Sequence, residues 1–319
     1  MKTITVIIIS YNQENVISRC LDSILVQKDY GLKHIVVSDD CSKDKTWEVL
    51  KSYADKYPSI MRINRNESNL GIYPNMEKAV SLRGEADLYC KLSGDDSLCD
   101  GWFREIQKYI VENNVDFSMP IGFYSDWKYI YPDGREKITK QDLAGNNYDL
   151  FSLYIRGLVN DRSSLINEIV ISQYGPLVLG KGLNLTEANY DSQDPRFIKK
   201  SYYVPYIGSI YYCGLGVSTT LGIGNSDYFT TQTIEKWKFF IENYIQTESD
   251  LWFAKYGIEQ ANFYLHPSLL RLYRIMLYYN RGRLKGEKKG LSERWGVAFP
   301  LVKYMLKYMV TRIVRRING

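Results

Sequence analysis

Hydrophobic residues arrive in this chain first as unbroken runs and then at helical spacing, and the two patterns alternate from the start. Thr3 to Ile9 is a continuous β-branched run, as a parallel strand covered on both faces requires. After Asn12, the residues Val16, Ile17, Cys20, Leu21, Ile24 and Leu25 recur at the spacing of one buried helical stripe. The pattern repeats: His34 to Ser38 reads as a strand, Asp39 to Asp44 as a polar turn, and Trp47, Leu50, Tyr53, Ala54 and Tyr57 as a second stripe. Ser42 and Asp44 are the candidate caps of that helix. A third, shorter unit runs from Met61 through Asn69 to Asn75 into a helix containing Met76, Ala79, Val80 and Leu82. Gly71 is predicted to take a backbone conformation closed to other residues, and Pro74 suits a first helical turn. Repeated strand–turn–helix units predict an α/β fold, a doubly wound and mostly parallel sheet.

Beyond the third unit the chain reads as a strand into Gly94, a helix on Trp102, Ile106, Tyr109 and Ile110, and a strand from Phe117 to Tyr124. Tyr129 to Asp149 is a polar excursion with a turn at Pro132 to Gly134. An acidic segment, Asn184 to Asp194, precedes a predicted strand pair around Tyr202 to Tyr212, and from Thr230 the pattern is helical. The expected division is residues 1–225, with a ligand-binding half about 1–100 and a second half about 101–225, followed by a helical extension over 226–319.

Composition narrows the chemistry. At 319 residues, 45% hydrophobic and 24% charged, the chain is globular. Five scattered cysteines without a Cys-x-x-Cys pair point to reduced thiols in a cytoplasmic protein. Only His34 and His266 could offer imidazole, so acid–base work falls to carboxylates. The first apolar run is too short for a signal peptide and ends in Ser10, Tyr11 and Asn12. From Arg281 to Gly319, 11 Lys and Arg stand against 2 Glu, so the net +5 belongs to the tail and the rest is acidic. No nucleic-acid partner is expected.

The strand that begins near Ala86 ends abruptly in Gly94, Asp95 and Asp96. Paired carboxylates on a glycine turn, at the strand end that faces a ligand crevice, suit Mg²⁺ or Mn²⁺ carrying phosphate oxygens. Gly-Asp-Asp-Ser is also ordinary turn chemistry, so the segment alone leaves both readings open.

Four motifs in order resemble those of the inverting, nucleotide-sugar-dependent glycosyltransferases of family two, of the bacterial polysaccharide type. They are Val6-Ile-Ile-Ile-Ser-Tyr-Asn12, Ile35-Val-Val-Ser-Asp-Asp-Cys-Ser-Lys-Asp-Lys-Thr46, Asn69-Leu-Gly71 with Asn75 and Ala79, and Gly94-Asp-Asp96. The resemblance implies the Rossmann-like A-type glycosyltransferase fold over the first domain. It implies that Ser10, Tyr11 and Asn12 wrap the nucleoside, that Asp39 accepts a hydrogen bond from the base, and that Gly71 and Asn75 belong to the nucleotide site. Asp40, in this reading, caps the turn. Asp95 is then placed near ribose and phosphate, and Asp96 is the ligand of Mn²⁺ or Mg²⁺. The implied base is Asp191, with Glu187 as runner-up and Asp194 as a turn residue. Two departures stand out: Ser93 occupies a position where the common form is acidic, and Tyr190 stands where a Glu usually precedes the base. The implied reaction moves a sugar from a nucleotide-diphosphate donor, UDP-linked by preference, to a hydroxyl of a glycan or lipid-linked glycan.

In the tail, Leu301, Val302, Met305, Leu306, Met309, Val310 and Ile313 share a face from which Lys303, Lys307 and Arg315 are excluded. Charge interrupts the run too often for a bilayer span. Such a helix either lies on an anionic membrane surface, as a peripheral contact on the cytoplasmic face, or packs on protein. A nucleotidyltransferase would want a Gly-rich basic phosphate loop after the first strand, and a dehydrogenase would want Gly-x-Gly-x-x-Gly there; Ser10 to Glu14 offers neither. A nucleotide- or carbohydrate-binding scaffold that has lost catalysis remains as the non-enzymatic alternative.

Overall fold

The computed structural model describes residues 1–140, 165–174, 198–215, 227–281, 298–306 and 308. The chain separates into two compact units, Met1–Thr219 and Thr220–Gly319.

The first unit is built on a nine-stranded sheet. Strands β1 (Ile4–Ser10), β2 (Leu32–Asp39), β3 (Met61–Arg65) and β4 (Leu88–Ser93) are parallel in the order β3-β2-β1-β4, so β1 is central, as its unbroken β-branched run requires. Helices α1 (Ile17–Leu25), α2 (Thr46–Lys56) and α3 (Ile72–Ser81) connect them. Alternate residues of β1 go to opposite cores. Ile4, Val6 and Ile8 pack in a cluster with Ile17, Leu21 and Ile24 of α1, whereas Ile7 packs with Ala79 and Val80 of α3.

Beyond β4 the sheet becomes mixed. It continues through the short antiparallel β8 (Leu165–Asn167), then β6 (Ile121–Ile130), β9 (Lys200–Tyr212) and the two-residue β5 (Ser97–Leu98), while β7 (Glu136–Thr139) pairs with β6. Helix α4 (Trp102–Glu112) buries Trp102, Phe103, Ile106 and Ile110, and α5 (Glu168–Tyr174) follows β8. The predicted strand from Phe117 instead starts at Ile121 and extends to Ile130, where a turn closed by the Gly134 amide on the Tyr131 carbonyl leads into β7. The predicted strand pair around Tyr202 to Tyr212 is one strand. Its register against β6 shifts at Ser125 and Asp126, and this irregularity accommodates the exposed Pro205 without a break.

The second unit contains α6 (Asp227–Asn243), α7 (Glu248–Leu265) and α8 (Leu269–Arg281), with residues 298–306 also helical. Thr247 caps α7, its hydroxyl accepting the Asp250 amide at 3.1 Å. Leu301 and Met305, two members of the stripe considered for a membrane surface, are buried against Phe263 and Ile275, and the Tyr304 hydroxyl donates to the Tyr264 carbonyl at 3.0 Å. Protein therefore covers this part of the stripe. No helix among the described residues is long and apolar enough to cross a membrane.

Gly257 fixes how closely α6 and α7 approach, because a Cβ there would run into the indole nitrogen of the buried Trp237. Gly257→Ala gains roughly 1 kcal/mol of helix propensity but must displace that indole. Overpacking of this kind costs about 1–3 kcal/mol, so urea unfolding followed by tryptophan fluorescence is expected to show net destabilisation rather than the gain an open helical glycine would give.

Candidate active site

The register brings Ser10, Asp39 and the end of the strand before Gly94 to one edge of the sheet. Ser10 pairs with Asp39 across β1 and β2, and Ile9 pairs with Ser93 across β1 and β4. Adjacent strands lie ~4.8 Å apart, so the Asp39 and Gly94 strand ends flank β1 across about 10 Å. This is the carboxyl edge of the parallel strands, where α/β sheets form their ligand crevice.

The loops after β1 and β2 are sewn to each other. The amides of Asn12 and Gln13 donate to the hydroxyls of Ser42 (2.9 Å) and Thr46 (2.7 Å). In return, the amides of Lys43 and Lys45 donate to the side chains of Asn12 and Glu14, both at 2.8 Å. The Asp44 carboxylate accepts the Glu14 amide and, through its other oxygen, the Thr46 amide, each at 3.0 Å. Burial works to raise the Asp44 pKa, but the Thr46 hydroxyl and these amides outweigh it and hold the carboxyl below its ordinary range. Asn12 accepts a φ of 52° to make these contacts, and Tyr11 is left 41% exposed at the rim. Ser42 does not cap α2: its hydroxyl donates to Asp39, and its amide donates to Asp39 at 3.1 Å.

Asp39 is wholly buried. Besides Ser42 it accepts the Ser10 hydroxyl at 3.3 Å, and the Arg65 guanidinium lies 3.6 Å away. A buried carboxylate is tolerable only when its lone pairs are met, and these partners meet them. Arg65, which the sequence reading passed over, also donates to the Ser42 carbonyl at 2.9 Å, placing a cation at the end of β3. The neighbouring Asp40 serves the third loop. Its carboxylate accepts the Leu70 and Gly71 amides at 2.8 Å and the Asn66 side chain at 2.9 Å. Gly71 has φ 86° and ψ 171°, a conformation for glycine, and opens α3. Asn75 is buried in this framework, donating to the Ser38 carbonyl (3.0 Å) and accepting from Asn66 (2.9 Å).

The acidic loop closes the edge. A Cβ on Gly94 would strike the side-chain ends of Gln13 and Ile17, so a larger residue there would displace them. Asp95 is 5% exposed; Asp96 is more open and accepts the Tyr212 amide at 3.2 Å. From α1, Arg19 donates to the Asp95 carbonyl at 2.7 Å. Two hard carboxylates suit Mg²⁺ or Mn²⁺, which such sites hold by one or two carboxylates together with substrate phosphates and water. Gln13 Oε1, buried without a donor, lies in contact range of the same glycine. Burial, then the charges of Asp96 and Asp95, push the nearby Cys20 thiol well up. Among the described residues, no group of three or more acidic, His or Cys side chains forms a protein-only metal cage. Asp191 and Glu187 lie outside the described residues.

The mixed sheet, with interlocked loops and an acidic turn at the carboxyl edge of its parallel strands, has the A-type glycosyltransferase fold. Residues 5–159, just under half of the chain, match the model of glycosyl transferase family 2. Over 97 residues, 30% of this chain, it is 33% identical to an uncharacterized protein of Mycobacterium tuberculosis, spanning 28% of that protein. Over 48% of its length it is 25% identical to poly(ribitol-phosphate) beta-glucosyltransferase of Bacillus spizizenii, spanning 27% of that enzyme. Among solved structures, S. aureus TarS 1-349 in complex with UDP-GlcNAc is similar, with a TM-score of 0.61 at 14% identity over 86% of this chain and 79% of that one. The mannosyltransferase PcManGT of Pyrobaculum calidifontis, in complex with GDP-Man and Mn²⁺, has a TM-score of 0.52 at 13% identity, over 99% and 87% of the two chains. At these identities the structural likeness is one of fold.

Asp40→Asn turns an amide group toward at least one of the donors that now meet a carboxylate. Unmatched buried polar groups cost about 1–3 kcal/mol. The expected result is a lower urea midpoint and faster proteolysis within residues 66–71; an unchanged midpoint would show that the third loop does not depend on this carboxylate.

Proposed function

We propose that this chain transfers a sugar from a nucleotide-diphosphate donor, UDP-linked by preference, to a hydroxyl of a glycan or lipid-linked glycan, with inversion. The observation that carries the reading is the convergence of Ser10, Asp39 and the Gly94–Asp96 loop on one carboxyl edge inside the stretch that matches the family. The Ser10–Asn12 loop, with Tyr11 exposed at its rim, offers a face for the nucleobase. Asp39 acts on that loop through the Ser10 hydroxyl, with the Arg65 guanidinium beside it on the second loop. The third loop, held by Asp40, Gly71 and Asn75, closes the same side.

Asp96 and Asp95 are the residues that would hold Mn²⁺ or Mg²⁺, and such a cation offsets the charge that develops on the departing diphosphate. In the proposed step a carboxylate takes the proton from the acceptor hydroxyl, and the hydroxyl oxygen bonds to the anomeric carbon. The bond from that carbon to the diphosphate oxygen breaks on the opposite face. One displacement inverts the centre, and the nucleoside diphosphate leaves. The base is assigned to Asp191, with Glu187 as alternative.

Asp191→Asn keeps the shape of the side chain but cannot take a proton. Transfer assayed on UDP-sugars is expected to fall about 10²- to 10⁴-fold while donor affinity holds. Loss in Glu187→Gln with an active Asp191→Asn would move the base to Glu187, and activity in both would refute a base in this acidic segment.

A further inference from the structure

We infer that Arg19 is a positioning residue for the acidic loop, holding the backbone of Asp95 so that Asp95 and Asp96 present their carboxylates to a divalent cation. The inference rests on the metal-dependent reading above. Arg19 lies on α1 among residues buried for packing, Ile17, Cys20 and Leu21, yet its side chain turns toward the loop after β4. Nη2 donates to the Asp95 carbonyl at 2.7 Å, and the guanidinium carbon lies 3.4 Å from the centre of the Tyr212 ring.

Tyr212 is the last residue of β9, and its own amide donates to Asp96 at 3.2 Å. One guanidinium therefore binds the loop on its Asp95 side and stacks on the residue that binds it on its Asp96 side. Two adjacent carboxylates repel, and a loop carrying them would relax outward unless its main chain were tied. Arg19 ties it through the Asp95 carbonyl, so the contact acts on the main chain of the loop. Its Nε is buried without an acceptor, a cost that the bond of Nη2 to the loop and the stack on Tyr212 must offset. The planar group is needed because it must bond at its edge and stack on its face at once, which a lysine cannot do.

The test is a titration of Mn²⁺ into the full chain with uridine diphosphate, bound and free Mn²⁺ being read by electron paramagnetic resonance. Groups that orient metal ligands typically change metal affinity about 10- to 100-fold. Arg19→Ala is expected to weaken Mn²⁺ binding by at least about tenfold, with kcat recovering at saturating Mn²⁺. Arg19→Lys is expected to restore part of the affinity, Tyr212→Phe to keep it and Tyr212→Ala to lose it. Should Arg19→Ala fail to fold, the contrast between Arg19→Lys, weaker than wild type, and Tyr212→Phe, equal to it, decides the matter. Wild-type Mn²⁺ affinity in a folded Arg19→Ala or in Arg19→Lys overturns the inference alone. A wild-type protein that binds no Mn²⁺ overturns the reading beneath it and the inference with it.

Discussion

Two adjacent buried carboxylates, Asp39 and Asp40, set the terms for the rest of the site. Four parallel strands covered on both faces leave their last polar groups in a region that water does not reach, so each carboxylate must find donors from the chain itself. Asp39 finds them in Ser10, Ser42 and Arg65, which joins the first loop to the second. Asp40 finds them in Asn66, Leu70 and Gly71, which joins the second loop to the third. Satisfying the pair thus assembles three loops into one rigid wall.

The acidic loop obeys a different logic. Asp95 and Asp96 belong to a turn that glycine brings against α1 and that Arg19 and Tyr212 hold from either side. The first carboxylate pair joins three loops by hydrogen bonds, whereas the second stands on the turn that follows β4. An edge with interlocked loops on one side and an acidic turn on the other suits a nucleoside diphosphate whose phosphates arrive with a cation.

Much of this architecture was legible because burial on both faces writes itself into the chain. Strands β1 to β4 and helices α1 to α4 follow from β-branched runs and helical stripes, and Gly71 from its place between a strand and a helix. The strands β5 and β8, two and three residues long, carry no period and exist through partners far away in the chain. For the same reason β9 could not be told from a pair: its irregular register depends on β6, not on its own residues. At the site, sequence placed Asp39, Asp95 and Asp96 at strand ends but could not say which way their side chains turn. Asp40 appeared to be a turn cap, yet it anchors a loop thirty residues on. Arg19 was invisible, since a charged residue on a helix gives no sign that it reaches another loop.

The proposed reading requires this edge to bind a nucleoside diphosphate together with a cation held at Asp96. Isothermal titration of uridine diphosphate, with Mn²⁺ and then with excess chelator, tests that claim most directly. Binding in Mn²⁺ that is lost with chelator, and lost equally in Asp96→Asn, is the expected result; equal affinity in both buffers, or an Asp96→Asn protein that binds like wild type, would contradict it.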